Sequence, residues 1–160
     1  MNNMKKQELL KLRKFSGYVG DFIRYWGFRR IHGQIWTVIY LSPEPKSGVE
    51  IVELLKVSKA LVSPALKELE KEGLITQVRS ENSKTKRYQA EEDVEKIVKG
   101  VLHRREKPML KKISESFAEM AGKDGLPIEL KLDRLRKMEA MIQAAQLSLE
   151  LLLNSDQLLG

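Results

Sequence analysis

Apolar side chains recur every three or four residues along most of the chain, and the recurrence is broken at a few sharp points. Between residues 4 and 26, Leu9, Leu12, Phe15, Tyr18 or Val19, Phe22 and Tyr25 or Trp26 fall at the spacing of one helix face. A long first helix is predicted, ending near Gly27, a residue suited to a left-handed C-terminal stop. Ile31, Ile35, Val38, Ile39 and Leu41 predict a second, largely buried helix, closed by Pro43 and Pro45.

The pattern then shortens. After a loop over 42–47, Val49, Val52 and Leu55 mark a brief helix capped by Ser47, with Glu50 three residues on completing a capping box. Ser58 offers a second cap three residues past Leu55. The helix it opens carries Val62, Leu66 and Leu69 on a buried stripe and stops at Gly73. Lys59, Ser63 and Lys67 form an i, i+4, i+8 row on its opposite side. Residues 74–79 and 86–90 contain Ile75, Val78 and Tyr88, and the polar link 80–85 between them makes a β-hairpin. Helix, tight turn, helix and hairpin in this order predict a winged helix-turn-helix over residues 47–90. The fold class is mainly α with a small β-hairpin wing.

Residues 91–121 return to helical spacing through Val94, Ile97, Val98, Val101, Leu102, Leu110, Ile113, Phe117 and Met120, with a kink or break expected at Pro108. A turn over 122–127 precedes a last helix in which Leu135, Met138, Ile142, Ala145, Leu149 and Leu152 alternate steps of three and four, a heptad-like seam. Leu147, Leu151 and Leu153 lie off the seam and require a second cover. This divides the chain into N-terminal helices (1–46), the winged helix-turn-helix (47–90) and C-terminal dimerisation helices (91–160), expected to form one structural domain.

The 160 residues suffice for one well-buried core, and 42% hydrophobic with 32% charged residues is an ordinary globular balance. The formal charge of +7 favours a polyanionic partner. Residues 1–40 carry +6 and residues 113–160 carry −3, so the positive field belongs to the first two thirds. With no cysteine and two histidines, thiolate and histidine-rich metal sites are excluded, and no cofactor is expected. No apolar run approaches signal-peptide or membrane-span length, and a cytoplasmic protein without a membrane partner is expected. Asp21, Asp93 and Glu106 have no evident acid-base partner and there is no Gly-rich phosphate loop, so catalysis is not expected.

The segment "IVELLKVSKALVSPALKELEKEGLI" at 51–75, with paired leucines, Val-Ser at the turn and Leu-x-x-Glu-Gly-Leu-Ile leading into the wing, resembles the MarR-like winged-helix regulators. The wider stretch 21–112, with "YWGFRRIHGQIWTVIYLSPEP" and "HRREKPML", is similar to one branch of that group, the GbsR-type repressors of glycine-betaine synthesis and related archaeal proteins. The resemblance implies a homodimer clasped by its terminal helices, two recognition helices on a pseudo-palindromic operator in double-stranded DNA and, in some members, a small effector. Two residues depart from the usual pattern. Lys56 stands at a turn where glycine is common, and Pro64 interrupts the recognition helix, where it either kinks the helix or restarts it with Ser63 as cap.

The expected DNA-binding residues are Ser58, Lys59, Ala60, Ser63 and Lys67 on the helix, Ser83, Lys84, Lys86 and Arg87 on the wing, and Arg29 and Arg30 before the second helix. Each set also reads as a solvated face, and Arg29, Arg30 and His32 oppose a helix dipole, which calls for a phosphate or a carboxylate nearby. Eight of the ten aromatic residues fall between 15 and 40. Tyr25, Trp26, Phe28, Trp36 and Tyr40 are candidates for an effector pocket holding a quaternary ammonium compound, although aromatic stripes at helical spacing more often form core. The expected function is a DNA-binding transcription regulator, most simply a repressor. The alternative is a winged-helix module that binds protein or RNA without reading an operator.

Overall fold

A computed structural model describes residues 3–79, 83–122 and 128–155. The chain divides into two compact units, Met1–Asp93 and Val94–Gly160.

The first unit begins with α1 (Asn3–Ile23), continued by a 3-10 turn (Arg24–Trp26) that ends at Gly27 with φ 83. The predicted helical stop is therefore a left-handed glycine. After it come α2 (Arg30–Leu41), β1 (Lys46–Ser47), α3 (Gly48–Leu55), α4 (Lys59–Lys71), β2 (Ile75–Val78) and β3 (Arg87–Ala90). The core is built from Ile31, Ile35, Val38 and Ile39 of α2, Ile51 and Leu55 of α3, and Val62, Ala65, Leu66 and Leu69 of α4, closed by Leu74, Ile75 and Tyr88. In α3 the buried pair is Ile51 and Leu55, while Val49 is 65% exposed, so the expected Val49, Val52, Leu55 stripe is displaced around the helix.

The α1 face differs more. α1 buries Ser16, Gly17 and Gly20, and its aromatic residues Phe15, Tyr18 and Phe22 are exposed, as is Tyr25 just beyond it. Glycines explain the choice. A Cβ on Gly33 of α2 would lie 2.5 Å from the Gly20 Cα, so the two helices cross backbone to backbone and the wide aromatic face is turned away. The aromatic stripe therefore does not form the core.

The sheet has three antiparallel strands in the order β1-β3-β2. Ile75 to Val78 pair with Ala90 to Arg87, and Lys46 and Ser47 pair with Tyr88 and Arg87. The predicted hairpin is present, and the two-residue β1 that joins its far edge carries too little pattern to be read from sequence. Residues 80–82, which include part of the predicted wing link, lie outside the described residues, as do 123–127 of the predicted turn.

The second unit comprises α5 (Val94–Val101), a π-helical turn (Leu102–Glu106), α6 (Lys107–Ala121) and α7 (Leu132–Asn154). The break expected near Pro108 is this wider turn, in which the Lys107 N–H reaches back to the Leu102 carbonyl. Placing Pro108 in the first turn of α6, directly after it, spares the helix a proline in its interior. The α7 seam splits into two lines. Leu149 is buried with Leu135 and Ile142 half-buried, whereas Met138, Ala145 and Leu152 are exposed. A Lys107–Glu150 ion pair at 3.0 Å ties α6 to α7.

Candidate nucleic-acid interface

Two capping contacts set the helix-turn-helix. At the start of α3 the Ser47 N–H donates to Glu50 Oε2 at 2.7 Å and the Glu50 N–H donates to Ser47 Oγ at 3.3 Å, the predicted capping box. The Ser47 N–H, and then the Arg87 guanidinium, hold the Glu50 carboxyl below its ordinary range. Lys56 closes α3 with φ 53 and ψ 49, the left-handed conformation expected where glycine is common. The Leu61 N–H then donates to Ser58 Oγ at 3.3 Å and α4 begins.

α4 runs unbroken from Lys59 to Lys71 through Pro64. A restart capped by Ser63 therefore does not occur. Val62, Ala65, Leu66 and Leu69 face the core, which leaves Ser58, Lys59, Ala60, Ser63 and Lys67 exposed. Lys59, Ser63, Lys67, Thr85 and Lys86 line one groove of about 460 Å³ between α4 and the wing. Its apolar lining includes Val49, Val52, Val62, Leu66 and Tyr88. Burial, and then Glu70, raise the Tyr88 hydroxyl above its usual pKa, so it stays protonated. Among the described residues, Lys59, Lys67 and Lys86 have no ion-pair partner. The row on α4 and the base of the wing thus share one cationic concavity. Ser83 and Lys84 are exposed nearer the hairpin tip, where the Thr85 N–H donates to Ser83 Oγ at 3.1 Å.

The arginines are placed otherwise. Arg87 donates to Glu50 Oε2 at 2.9 Å and to the Pro45 carbonyl at 3.3 Å. Arg30 pairs with Asp21 at 2.9 Å. Arg29 donates to both oxygens of Glu68 at 3.1 Å. The unfavourable charges at the start of α2 are answered by carboxylates of the chain itself. His32, which the sequence pattern singled out only as part of a cationic cluster, is 4% exposed and accepts the Arg29 N–H at Nδ1 over 2.8 Å. Its Nε2 meets Glu68 Oε2 at 2.5 Å. A histidine three residues into a helix behind a non-capping residue is the sequence signal for such a reach-back contact.

The five candidate effector residues do not surround one cavity. Tyr25 is 83% exposed, Trp26 stacks edge-on with Phe22, and Phe28 stacks edge-on with His32. Trp36 and Tyr40 form a stacked pair with centroids 4.9 Å apart. Of the five, Tyr40 alone lines a cleft of about 650 Å³, together with Glu44, Glu91 and Glu92. The Trp36 indole N–H is buried without an acceptor.

The elements of the first unit are those of a winged helix-turn-helix protein, and the fold of the chain matches that of a solved structure. The crystal structure of a transcriptional regulator superposes with a TM-score of 0.54 at 16% identity, covering 88% of this chain and 93% of the other. The transcriptional regulator Tm0710 from Thermotoga maritima is similar at 21% identity and a TM-score of 0.43, covering 89% of this chain and 96% of the other. A MarR transcriptional regulator from Methanosarcina mazei Go1 is similar at 18% and 0.42, covering 94% and 99%. The model of the MarR family matches residues 26–84, from the end of the 3-10 turn through α4 into the wing. No curated protein matches the chain. No helix among the described residues is long and apolar enough to cross a membrane.

Proposed function

We propose that the protein is a DNA-binding transcription regulator that places α4 in the major groove and the wing along the adjacent backbone. The observation that carries this reading is the groove in which Lys59, Ser63 and Lys67 of α4 converge with Lys86 of the wing, none of the three lysines being ion-paired among the described residues. Ser63 and the lysines reach toward base edges and phosphates, while Ser58 caps α4 and Ala60 leaves room for a base. Ser83 and Lys84 extend the contact to the backbone or minor groove. Arg29, Arg30 and Arg87 serve the fold through their carboxylate partners and stand outside this surface.

The finer features of the reading are a homodimer, repression and control by an effector, in a protein of the cytoplasm. The exposed line Met138, Ala145 and Leu152 of α7, together with Leu147 and Leu151, supports a second copy as cover. The similarity of residues 21–112 to the GbsR-type branch supports a quaternary ammonium effector, and Tyr40 with Glu44, Glu91 and Glu92 offers the chemistry for a cation. Millimolar choline or glycine betaine should then raise the melting temperature by mass action, and an unchanged melting curve excludes these two compounds.

Electrophoretic mobility with random duplex DNA, against the same length of structured RNA, tests the main claim. Retention of DNA that RNA does not compete away supports it, and no retention of duplex overturns it in favour of a protein- or RNA-binding module.

A further inference from the structure

α4 is tied to the rest of the unit on both flanks of its buried stripe, through Glu68 to Arg29 and His32 on one side and through Glu70, which accepts from Gln77 Nε2 at 3.1 Å, on the other. Counted at about 100° per residue, Glu68 lies roughly 110° to one side of the stripe formed by Val62, Ala65, Leu66 and Leu69. The Lys59, Ser63, Lys67 row lies about as far to the other side. The hold on Glu68, on the flank opposite Glu70 and its 3.1 Å hydrogen bond from Gln77, therefore helps set the rotation of α4 about its own axis, and with it the direction in which the row points.

What holds Glu68 is well defined. Its carboxylate accepts two hydrogen bonds from Arg29 at 3.1 Å and one from His32. His32 cannot turn away, because its ring is buried at 4% exposure, stands edge-on to Phe28 at 5.8 Å and accepts the Arg29 N–H at Nδ1. With Nδ1 accepting, the ring proton sits on Nε2 and is donated to Glu68. The apolar stripe gives less definition. Ala65 contributes only a methyl group, and Pro64 deprives the helix of its hydrogen bond to the Ala60 carbonyl. A rotation of about 20° moves a group about 6 Å from the axis by about 2 Å, enough to break a hydrogen bond to a base.

We infer that Glu68, clasped by His32 and Arg29, is a positioning residue that orients α4 for base readout without touching DNA. The inference rests on the DNA-binding reading. It separates two quantities, because phosphate-led binding tolerates a small rotation whereas readout of base edges does not.

The test uses the full chain and the duplex that the wild-type protein enriches from a random library, with a shuffled duplex as control. For Glu68→Ala the affinity for the selected duplex should fall about tenfold, the equivalent of one mismatched base pair, with the shuffled duplex bound within about twofold of wild type. Two histidine variants separate the halves of the clasp. In His32→Gln the amide nitrogen still donates to Glu68, and the selected-to-shuffled ratio should be kept. In His32→Asn the amide oxygen keeps the Arg29 N–H but the side chain does not reach Glu68, and the ratio should be lost. Unchanged discrimination in Glu68→Ala overturns the inference, as does a parallel loss of both affinities in step with the melting temperature, which marks a purely structural role. If the wild-type protein enriches no duplex, the DNA-binding reading itself falls and the positioning role with it.

Discussion

Lys56, at φ 53 and ψ 49, is the only described non-glycine residue with a positive φ, and it carries the turn between α3 and α4. A β-carbon in this region costs roughly 1 kcal/mol. Lys56→Gly should therefore stabilise the protein by about 1 kcal/mol, less the extra entropy of glycine in the unfolded chain, as read from the urea midpoint. Gly33→Ala should do the opposite. Its Cβ would meet the backbone of Gly20 at 2.5 Å, and forcing the helices apart should cost about 1–3 kcal/mol. Glu50 gives a pH dependence with a definite sign. Its folded pKa is depressed by the Ser47 N–H and then by Arg87, so its contribution is complete above the ordinary carboxyl value of 4.5 and is lost as pH falls through the lower folded value. In Glu50→Gln the acid limb of the stability curve below about pH 4.5 should be shallower, and a superimposable limb would deny Glu50 that role. The caps, the left-handed Lys56 and the Lys59 row were legible because each follows from local chain geometry. The Arg29–Glu68 and His32–Glu68 contacts were not, because they join residues 39 and 36 positions apart.

Among the elements, α4 holds a proline in its sixth position and yet remains continuous from Lys59 to Lys71. The packing of Val62, Ala65, Leu66 and Leu69 outweighs the missing hydrogen bond. Pro64→Ala restores that bond and should raise stability by about 1–3 kcal/mol, with a more negative helical ellipticity; a loss of stability would show that the ring itself fills a needed space. Periodicity located α1, α2, α4 and α7 because each is long enough to repeat its stripe. It misjudged which face of α1 is buried, since the scale of side-chain hydrophobicity ranks Phe15 and Tyr18 above Gly17 and Gly20. Backbone approach to Gly33 settled the matter the other way. β1, with only Lys46 and Ser47, carries no period to detect.

For the molecule as a whole, the chain divides into two compact units, Met1–Asp93 and Val94–Gly160. Phe15, Tyr18 and Phe22 on α1 and Met138, Met141, Leu147, Leu151 and Leu152 on α7 are left exposed, and the proposed homodimer gives such apolar side chains a cover. Sedimentation equilibrium should therefore report a dimer at micromolar concentration, and Leu151→Glu with Leu152→Glu should shift it toward monomer; a monomeric wild type would remove the dimer from the account. Charge is distributed in keeping with the proposed surface, since residues 1–112 carry +10 and residues 113–160 carry −3.

The groove between α4 and the wing is tested most directly by the salt dependence of duplex binding, measured by fluorescence anisotropy for the wild type and for Lys59→Ala with Lys67→Ala. Phosphate-led docking predicts a steep linear fall of log affinity with log salt in the wild type. In the double variant, specific binding should be abolished and the slope of the residual binding reduced by about two. A flat response in the wild type, or equal affinity in the variant, would contradict the assignment of this surface to DNA.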